Sequence, residues 1–356
     1  MKKHNFSAGP AILPATVIEQ AADAVRDFDG IGLSILEISH RSAEFKAVLE
    51  EIQQATKDLL GLGDDFDVLF LTGGASSQFY MTAMNLLSAE ESAGYVDTGA
   101  WSKKAIKEAR AFGAINKVAT SEDTNYNYIP KGFEIPDDLK YLHITSNNTI
   151  FGTEFHELPE TRVPIVADMS SNIFSRPIDV SRYDLIYAGA QKNLGPAGTT
   201  LVIVRKGITG KVTRAIPTML NYDTHIAKDS AFNTPPVYPI YVCLLTMRWL
   251  KANGGLTAMA ERNAKKADLI YDEIDSNPMF KGTTAKEDRS LMNATFVTEN
   301  DAHTAAFLDA CNAASISGVK GYRSVGGFRA SIYNAMPLES VQVLVDVMRD
   351  FTIKYG

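Results

Sequence analysis

The feature that most constrains this chain is a close succession of short apolar runs, each ending in turn residues. VPIVADMS from Val163, DLIYAGA from Asp184 and TTLVIVR from Thr199 follow one another between residues 163 and 205. Runs this short read as buried strands rather than helices. DVLFL (67–71), SAGYVDTG and YLHIT add earlier strands of the same kind. Amphipathic stretches lie among them. AEFKAVLEEIQQATKDLLGLG from Ala43 has apolar residues at helical spacing and closes in glycine, and QFYMTAMNLL and KKAIKEARAFG read as further helices. Strands that alternate with helices predict crossovers, hence an α/β fold whose sheet is mainly parallel and covered on both faces. Ligands of such sheets bind beyond the carboxyl ends of the strands.

The pattern breaks near KANGG, residues 251–255. Longer helical stretches follow (LTAMAERNAKKADLIYDEI, TAAFLDACNAA and LESVQVLVDVMRDFTIKY), with shorter strand candidates NATFVT and FRASIYN. A chain of 356 residues exceeds one ordinary core. The expected division is a large domain over 16–250 and a smaller α+β domain over 251–356, with the Pro- and Gly-rich residues 1–15 packed against it. A net charge of -7 gives no general attraction for nucleic acid or an anionic membrane. Cys243 and Cys311 are far apart and lack CxxC spacing, which argues against a disulfide framework or a zinc site. No apolar run follows the N-terminal lysines and no stretch is long enough to span a bilayer, so neither a signal peptide nor a membrane anchor is expected. A reduced, cytoplasmic setting fits.

The chemistry concentrates at the predicted strand ends. Lys192 follows DLIYAGAQ and precedes Asn-Leu-Gly-Pro-Ala-Gly. A lone lysine in a loop is usually solvated. Here apolar and glycine-rich flanks favour a desolvated site with close ligand approach, where a lysine becomes a Schiff-base nucleophile. Asp168 ends PIVADMS. Alone it reads as a cap for the following turn; beside a heterocycle, the same carboxylate keeps a pyridine nitrogen protonated. Ser170, two residues on, offers a hydroxyl to a phosphate. TGGASSQ, residues 72–78, joins a strand to a helix and is either an ordinary tight turn or an anion site of helix N-terminal amides. Its spacing is neither GxGxxG nor a P-loop, and Gln78 replaces the last glycine of a G-x-S-x-G elbow. Trp101, in YVDTGAWSKKA, suits core packing or stacking on a flat ring. His40, Arg41, Arg323 and Arg329 are cations fit for carboxylate or phosphate; a surface salt bridge is the alternative for any one of them.

Taken together, FSAGPAILP, EISHRS, GGASSQF, YVDTGAWS, ADMSSNIFSRPIDVSRYDLIYAGAQKNLGPAG, FNTPPVYPIYV, WLKANGG and VGGFRASIYNAMPLE resemble the successive motifs of the phosphoserine aminotransferases. These are fold-type-I pyridoxal phosphate enzymes, and the resemblance covers nearly the whole chain. It implies that Lys192 is the Schiff-base lysine, Asp168 the pyridinium partner and Trp101 the stacking residue. Ala75, Ser76, Thr149, Ser170 and Gln191 match further cofactor contacts. Asn233 and Thr234 match residues that reach the cofactor phosphate of a neighbouring subunit, which implies a homodimer with composite sites. Arg329 matches the clamp for the substrate α-carboxylate. His40, Arg41 and Arg323 match binders of the substrate phosphate or of the glutamate side chain. The implied reaction is amino transfer between O-phospho-L-serine with 2-oxoglutarate and 3-phosphohydroxypyruvate with L-glutamate, toward serine. Some bacterial relatives also act on 4-phosphohydroxy-L-threonine in pyridoxine synthesis.

Two positions depart from the pattern. Tyr322 stands in KGYR where relatives often carry histidine, and tyrosine donates a hydrogen bond without positive charge near neutral pH. Ser76 stands where some relatives carry arginine, which leaves more of the anion recognition to Arg41 and Arg323. A cysteine desulfurase is the nearest rival, but it resembles His-Lys at the lysine, where this chain has Gln191-Lys192, and it needs a mobile nucleophilic cysteine. An alanine-glyoxylate type aminotransferase has no need of the His40-Arg41 pair. A regulator that only binds the cofactor has no need of the full set.

Overall fold

The computed structural model describes residues 3–323 and 325–356. Met1 and Lys2, which the sequence groups with the smaller domain, lie outside them, as does Ser324. The chain opens with a short strand, β1 (His4–Asn5), and two helices, α1 (Ala15–Arg26) and α2 (Ala43–Leu60). Sequence explains the limits of α2. The Phe45 amide donates to the Ser42 side chain at its start, and Gly61 ends it in the left-handed region at φ 66°. Its buried side chains, Phe45, Val48, Leu49 and Ile52, follow helical spacing.

The central elements are β2 (Phe66–Leu71), α3 (Gly74–Leu86), β3 (Ser92–Asp97), α4 (Ala100–Ala109), β4 (Ala114–Thr120), β5 (Leu142–Thr145), β6 (Ile165–Asp168), β7 (Leu185–Gly189) and β8 (Thr200–Arg205). Seven strands form one sheet in the order β2-β8-β7-β6-β5-β3-β4. Neighbours from β7 to β4 are parallel, whereas β8 is antiparallel to both β7 and β2. The mainly parallel sheet expected from the alternation is therefore present, with β8 reversed. The reason is length: residues 190–199 join β7 to β8, and a parallel crossover needs a dozen residues or more. That short return carries Lys192. Strand β4 is missing from the sequence-predicted strands because AINKVAT, at the sheet edge, is exposed or half-buried and shows no apolar run.

Alternate residues of the strands feed two cores. Phe70, Ile165 and Ile203 pack on the α2 side, with Phe45 and Ile52. Leu69, Val166 and Tyr187 pack on the other side, with Phe79 of α3 and Ala105 of α4. Beyond β8 come α5 (Tyr222–Ile226), α6 (Val237–Ala252), α7 (Gly255–Ser276), β9 (Phe280–Gly282), β10 (Asn293–Thr298), α8 (Thr304–Ala313), β11 (Ile316–Ser317), β12 (Phe328–Ser331) and α9 (Leu338–Tyr355). The helix α6 joins the α2-side core through Val242, Leu244 and Leu245. β12, β10 and β9 form a separate antiparallel sheet. A third core covers it, built on edge-to-face phenylalanines such as Phe280–Phe307 and Phe307–Phe328, at 4.9 and 4.8 Å between centroids. β1 pairs with β11, and Phe6 joins this third core.

Lys266 of α7 is buried in the C-terminal part, with Nζ donating to the carbonyls of Ile332 (2.9 Å) and Tyr333 (2.6 Å). Burial, with a smaller contribution from Arg262, pushes its pKa down from 10.5 to about 7. Between those two values the unfolded chain binds more protons than the folded one, so stability rises with pH across that window. Below about 7 both states are protonated and the burial penalty is complete. Lys266→Met should flatten this rise, worth on the order of a few kcal/mol at full extent. Denaturant midpoints of both proteins from pH 7 to 10 check it; parallel curves refute it.

Candidate active site

Six strands, β2 to β7, run in one direction and end at one edge of the large sheet, and the candidate cofactor residues Ala75, Ser76, Trp101, Thr149, Asp168, Ser170, Gln191 and Lys192 sit at those ends or just beyond them. Asp168 closes β6 and is 5% exposed. Its carboxylate Oδ1 accepts from the Ser170 amide at 2.9 Å, and Ser170 Oγ accepts from the Gly189 amide at 3.0 Å. The end of β6 is thereby tied to the end of β7, three residues ahead of Lys192. Lys192 Nζ donates to Thr149 Oγ1 at 2.5 Å. Thr149 lies in the turn after β5, and its carbonyl accepts from Arg329 Nη1 at 3.3 Å. Arg329 stands on β12, so the C-terminal sheet reaches the lysine. Lys192 Nζ also lies 5.6 Å from the centroid of the Trp101 ring.

Burial governs the charges. Lys192 is pushed down from 10.5 to about 8, chiefly by desolvation and further by Arg329, while Asp168 pulls the other way. Asp168 is raised by burial and drawn back by Lys192 and the bonds to Ser170. An amine that is neutral in part near physiological pH is a nucleophile and a base; a buried carboxylate beside it still favours a cation.

Local sequence fixes Trp101 and the TGGASSQ turn. Trp101 lies in the first turn of α4, behind Gly99 at φ 152°. A Cβ on Gly99 would come within 2.8 Å of the Phe151 ring, so only glycine lets the turn close here. Ser102 Oγ accepts from the amides of Thr98 (3.0 Å) and Gly99 (2.9 Å) and meets Asp97 Oδ1 at 3.0 Å. Gly73, at φ 94°, leads into α3, where no side chain caps the helix. A Cβ on Gly73 would meet Ser77 Oγ at 1.8 Å. The first-turn amides of α3, at Ala75 and Ser76, have no intrahelical acceptor and suit an anion.

The structure brings Lys192, Asp168, Thr149, Ser170, Trp101 and Arg329 together. Gln191 is half-buried beside them, and its carbonyl accepts from Ala11 at 2.9 Å. Other sequence-predicted residues stand apart within one chain. His40 and Arg41 occupy the turn before α2, His40 half-buried with an unpartnered Nε2 and Arg41 exposed. Tyr322 and Arg323 are exposed in the loop before β12. Asn233 and Thr234 are exposed, although Asn233 lines a cavity of about 140 Å³ with Thr72 and Ser77. Cys243 and Cys311 are buried thiols, both pushed up by desolvation, which leaves neither suited to act as a thiolate. Sequence reasoning missed Lys104, whose Nζ lies 4.3 Å from the Trp101 ring. The signal was its position three residues on, on the same helix face. It also missed Tyr333, which donates to the Ala8 carbonyl at 2.8 Å, and Asn334, whose amide donates to Asn193 Oδ1 at 3.0 Å.

The residues fit a flat, anionic, heterocyclic cofactor. Trp101 Nε1, Thr145 Oγ1 and Arg329 Nε are buried without a partner among the described residues, and so are available to a bound group. An amine, a carboxylate and an aromatic face converge on one space, and the N-terminus of α3 lies at the same edge of the sheet.

Comparison with known proteins agrees. The family described as aminotransferase class-V matches residues 3–344. A phosphoserine aminotransferase of Flavobacterium johnsoniae is 58% identical over 98% of each chain. The structure of phosphoserine aminotransferase from Bacillus circulans subsp. alkalophilus superposes with a TM-score of 0.97 at 44% identity, covering 100% of this chain and 99% of that one. A phosphoserine aminotransferase from Trichomonas vaginalis, described as PLP-bound, gives 0.93 at 35% identity over 98% and 100%. By its fold, its site and these relatives, the chain belongs to the phosphoserine aminotransferases of the class-V aminotransferase family.

Proposed function

We propose that this protein transfers an amino group reversibly between O-phospho-L-serine with 2-oxoglutarate and 3-phosphohydroxypyruvate with L-glutamate, using pyridoxal phosphate held at Lys192. The observation that carries this reading is the half-buried, desolvated Lys192 and the buried Asp168 at one sheet edge, beside the Trp101 ring. The relatives are named phosphoserine aminotransferases, and one of them is described with PLP bound.

Bound here, pyridoxal phosphate supplies an electron sink for charge that develops at the substrate α-carbon. Asp168 would hold the proton on the ring nitrogen. Trp101 would cover the ring face. The amides of Ala75 and Ser76, with Ser170, Thr149 and Gln191, would hold the phosphate and ring substituents. Lys192, with its lowered pKa, would take the proton from the substrate α-carbon and return it on the other side of the transfer. Arg329 would clamp the α-carboxylate that both substrates share, as a bidentate fork. His40, Arg41, Tyr322 and Arg323 would receive the distal phosphate or carboxylate.

Exposed apolar side chains support a second copy as the partner that completes the site. Ile31, Leu33 and Leu36 precede His40, while Met219 and Phe232 flank the region of Asn233 and Thr234. Those two polar residues would then reach the partner's cofactor phosphate. In this reading residues 16–250 carry the cofactor, and residues 1–15 with 251–356 bring the carboxylate clamp.

A half-reaction screen of phosphoserine against serine, alanine and aspartate, followed by the cofactor absorbance, tests the assignment. Phosphoserine should convert the chromophore fastest by a wide margin; equal rates would refute phosphate selection. Borohydride reduction should fix the cofactor to Lys192, and Lys192→Ala should abolish both this adduct and turnover. Recapture of cofactor by the apoprotein should accelerate as pH rises through about 8 and level above it, since the neutral amine attacks. A midpoint at the ordinary 10.5 would contradict the buried amine. Arg329→Ala should weaken both half-reactions, roughly a hundredfold in kcat/KM. A defect confined to phosphoserine would move Arg329 to the phosphate subsite.

A further inference from the structure

Three side chains stand in one row across the large sheet. The register sets Thr145 beside Asp168 and Asp168 beside Tyr187. In parallel strands such residues leave the sheet on the same face. The next row toward the amino ends holds Tyr95, His143, Val166 and Leu185. Tyr187 reaches diagonally past Val166, and its hydroxyl lies 2.8 Å from His143 Nε2. The His143 ring stacks on Tyr95, with centroids 4.7 Å apart and planes 17° from parallel. The Tyr95 hydroxyl in turn lies 2.8 Å from that of Tyr141. All of these residues are buried.

This floor is more polar than packing requires. His143 Nδ1 and Thr145 Oγ1 are both buried without a partner among the described residues. Each such atom costs roughly 1–3 kcal/mol. The same face carries Val166 and Leu185 without that cost, so valine or leucine would serve a sheet built only to pack.

We infer that Thr145, Tyr187 and His143 are positioning residues for Asp168. The His143–Tyr187 pair fixes Tyr187 against one side of the carboxylate, Thr145 offers a hydroxyl on the other, and together they set how tightly Asp168 holds a proton at the ring nitrogen it faces. The inference rests on the proposed role of Asp168. Burial holds His143 near a pKa of about 3, so its ring is neutral at working pH and adds no competing cation. The Tyr187 phenol is pushed well up by burial and by the Asp168 charge, so it stays a donor. The other ionisable groups facing this row are Lys192 from the loop after β7, Tyr222 from α5, Tyr141 and Tyr95, with Arg329 acting through Lys192.

The test is a pH titration of the bound cofactor's absorbance in the holoenzyme, with cofactor dissociation and melting temperature measured alongside. Tyr187→Phe and Thr145→Val should each move the titration midpoint by about half a unit or more, roughly threefold in proton affinity. Each should lower kcat about tenfold and leave KM within about twofold. Thr145→Ser should restore the midpoint. Midpoints that stay put, with only melting temperature or cofactor affinity reduced, would reduce the row to packing and overturn the inference. If Tyr187→Phe does not fold, Thr145→Val and its serine rescue decide alone. Asp168→Asn separates the two readings. If it leaves the titration unchanged, the role of Asp168 fails; if it shifts the titration while the flanking variants do not, only the positioning role fails.

Discussion

A buried carboxylate at the end of one strand and a desolvated amine in the loop after its neighbour are the constraint on which the rest of the site depends. Desolvation pushes Asp168 up and Lys192 down, each toward its neutral form, while their mutual attraction opposes both shifts. Neither charge would be tolerated alone at this depth, where an unpaired ion costs several kcal/mol. The sheet supplies the proximity. β6 and β7 are neighbours, and the reversal of β8 leaves only residues 190–199 to return the chain. A helical crossover after β7 would have carried Lys192 away over one face. The antiparallel strand that breaks the pattern of the sheet therefore places the lysine at its edge.

Distant parts of the chain are fastened to that edge. Ala11 donates to Gln191, Ala8 accepts from Tyr333, Asn334 donates to Asn193, and Arg329 donates to Thr149. Asn334 also donates to the Phe174 carbonyl and accepts from Asn263 of α7 at 2.8 Å. Buried polar networks of this kind define one arrangement of their members, because any slip leaves a donor or acceptor unpaired. The β12 segment that carries Arg329 is thus held in register with the Lys192 loop. The distance from the β12 backbone that carries Arg329, the proposed carboxylate clamp, to the Lys192 loop becomes a property of the fold, as positioning of a reacting α-carbon requires.

Much of this was legible in the sequence. The apolar runs gave the central strands, whose ends are the ligand edge; the residues there kept ordinary alternatives for Lys192, Asp168 and Trp101, and the resemblance of the surrounding motifs singled them out. Four things were not legible. β4 lacks an apolar run because it is an edge with half-exposed faces. The direction of β8 depends on connection length, which hydrophobic pattern does not encode. Tyr187 and His143 lie inside runs that read simply as buried strand, and their bond depends on register between β5, β6 and β7, a non-local property. Lys104 escaped notice for the opposite reason: its neighbours in WSKKA are ordinary surface residues, and only the helix phase places it over Trp101.

In the proposed reading the anion pocket behaves differently from the rest, because its candidate residues stand apart within one chain. Arg41 and Arg323 are exposed, as are Tyr322 and Ser76. Exposed charges in water interact weakly, and a substrate phosphate held only by solvated arginines gains little over bulk water. Selectivity for a phosphate therefore requires that these groups be desolvated when substrate is present. Exposed apolar residues, Leu33 and Leu36 in the segment before His40 and Phe232 before Asn233, supply surface for that step if a second copy covers it. With Tyr322 in place of a cation and Ser76 in place of an arginine, fewer fixed charges are available, and the contribution of each arginine grows as water is excluded. The inner half of the candidate site, around Lys192 and Asp168, is set by the sheet; the exposed half would be set by what covers it.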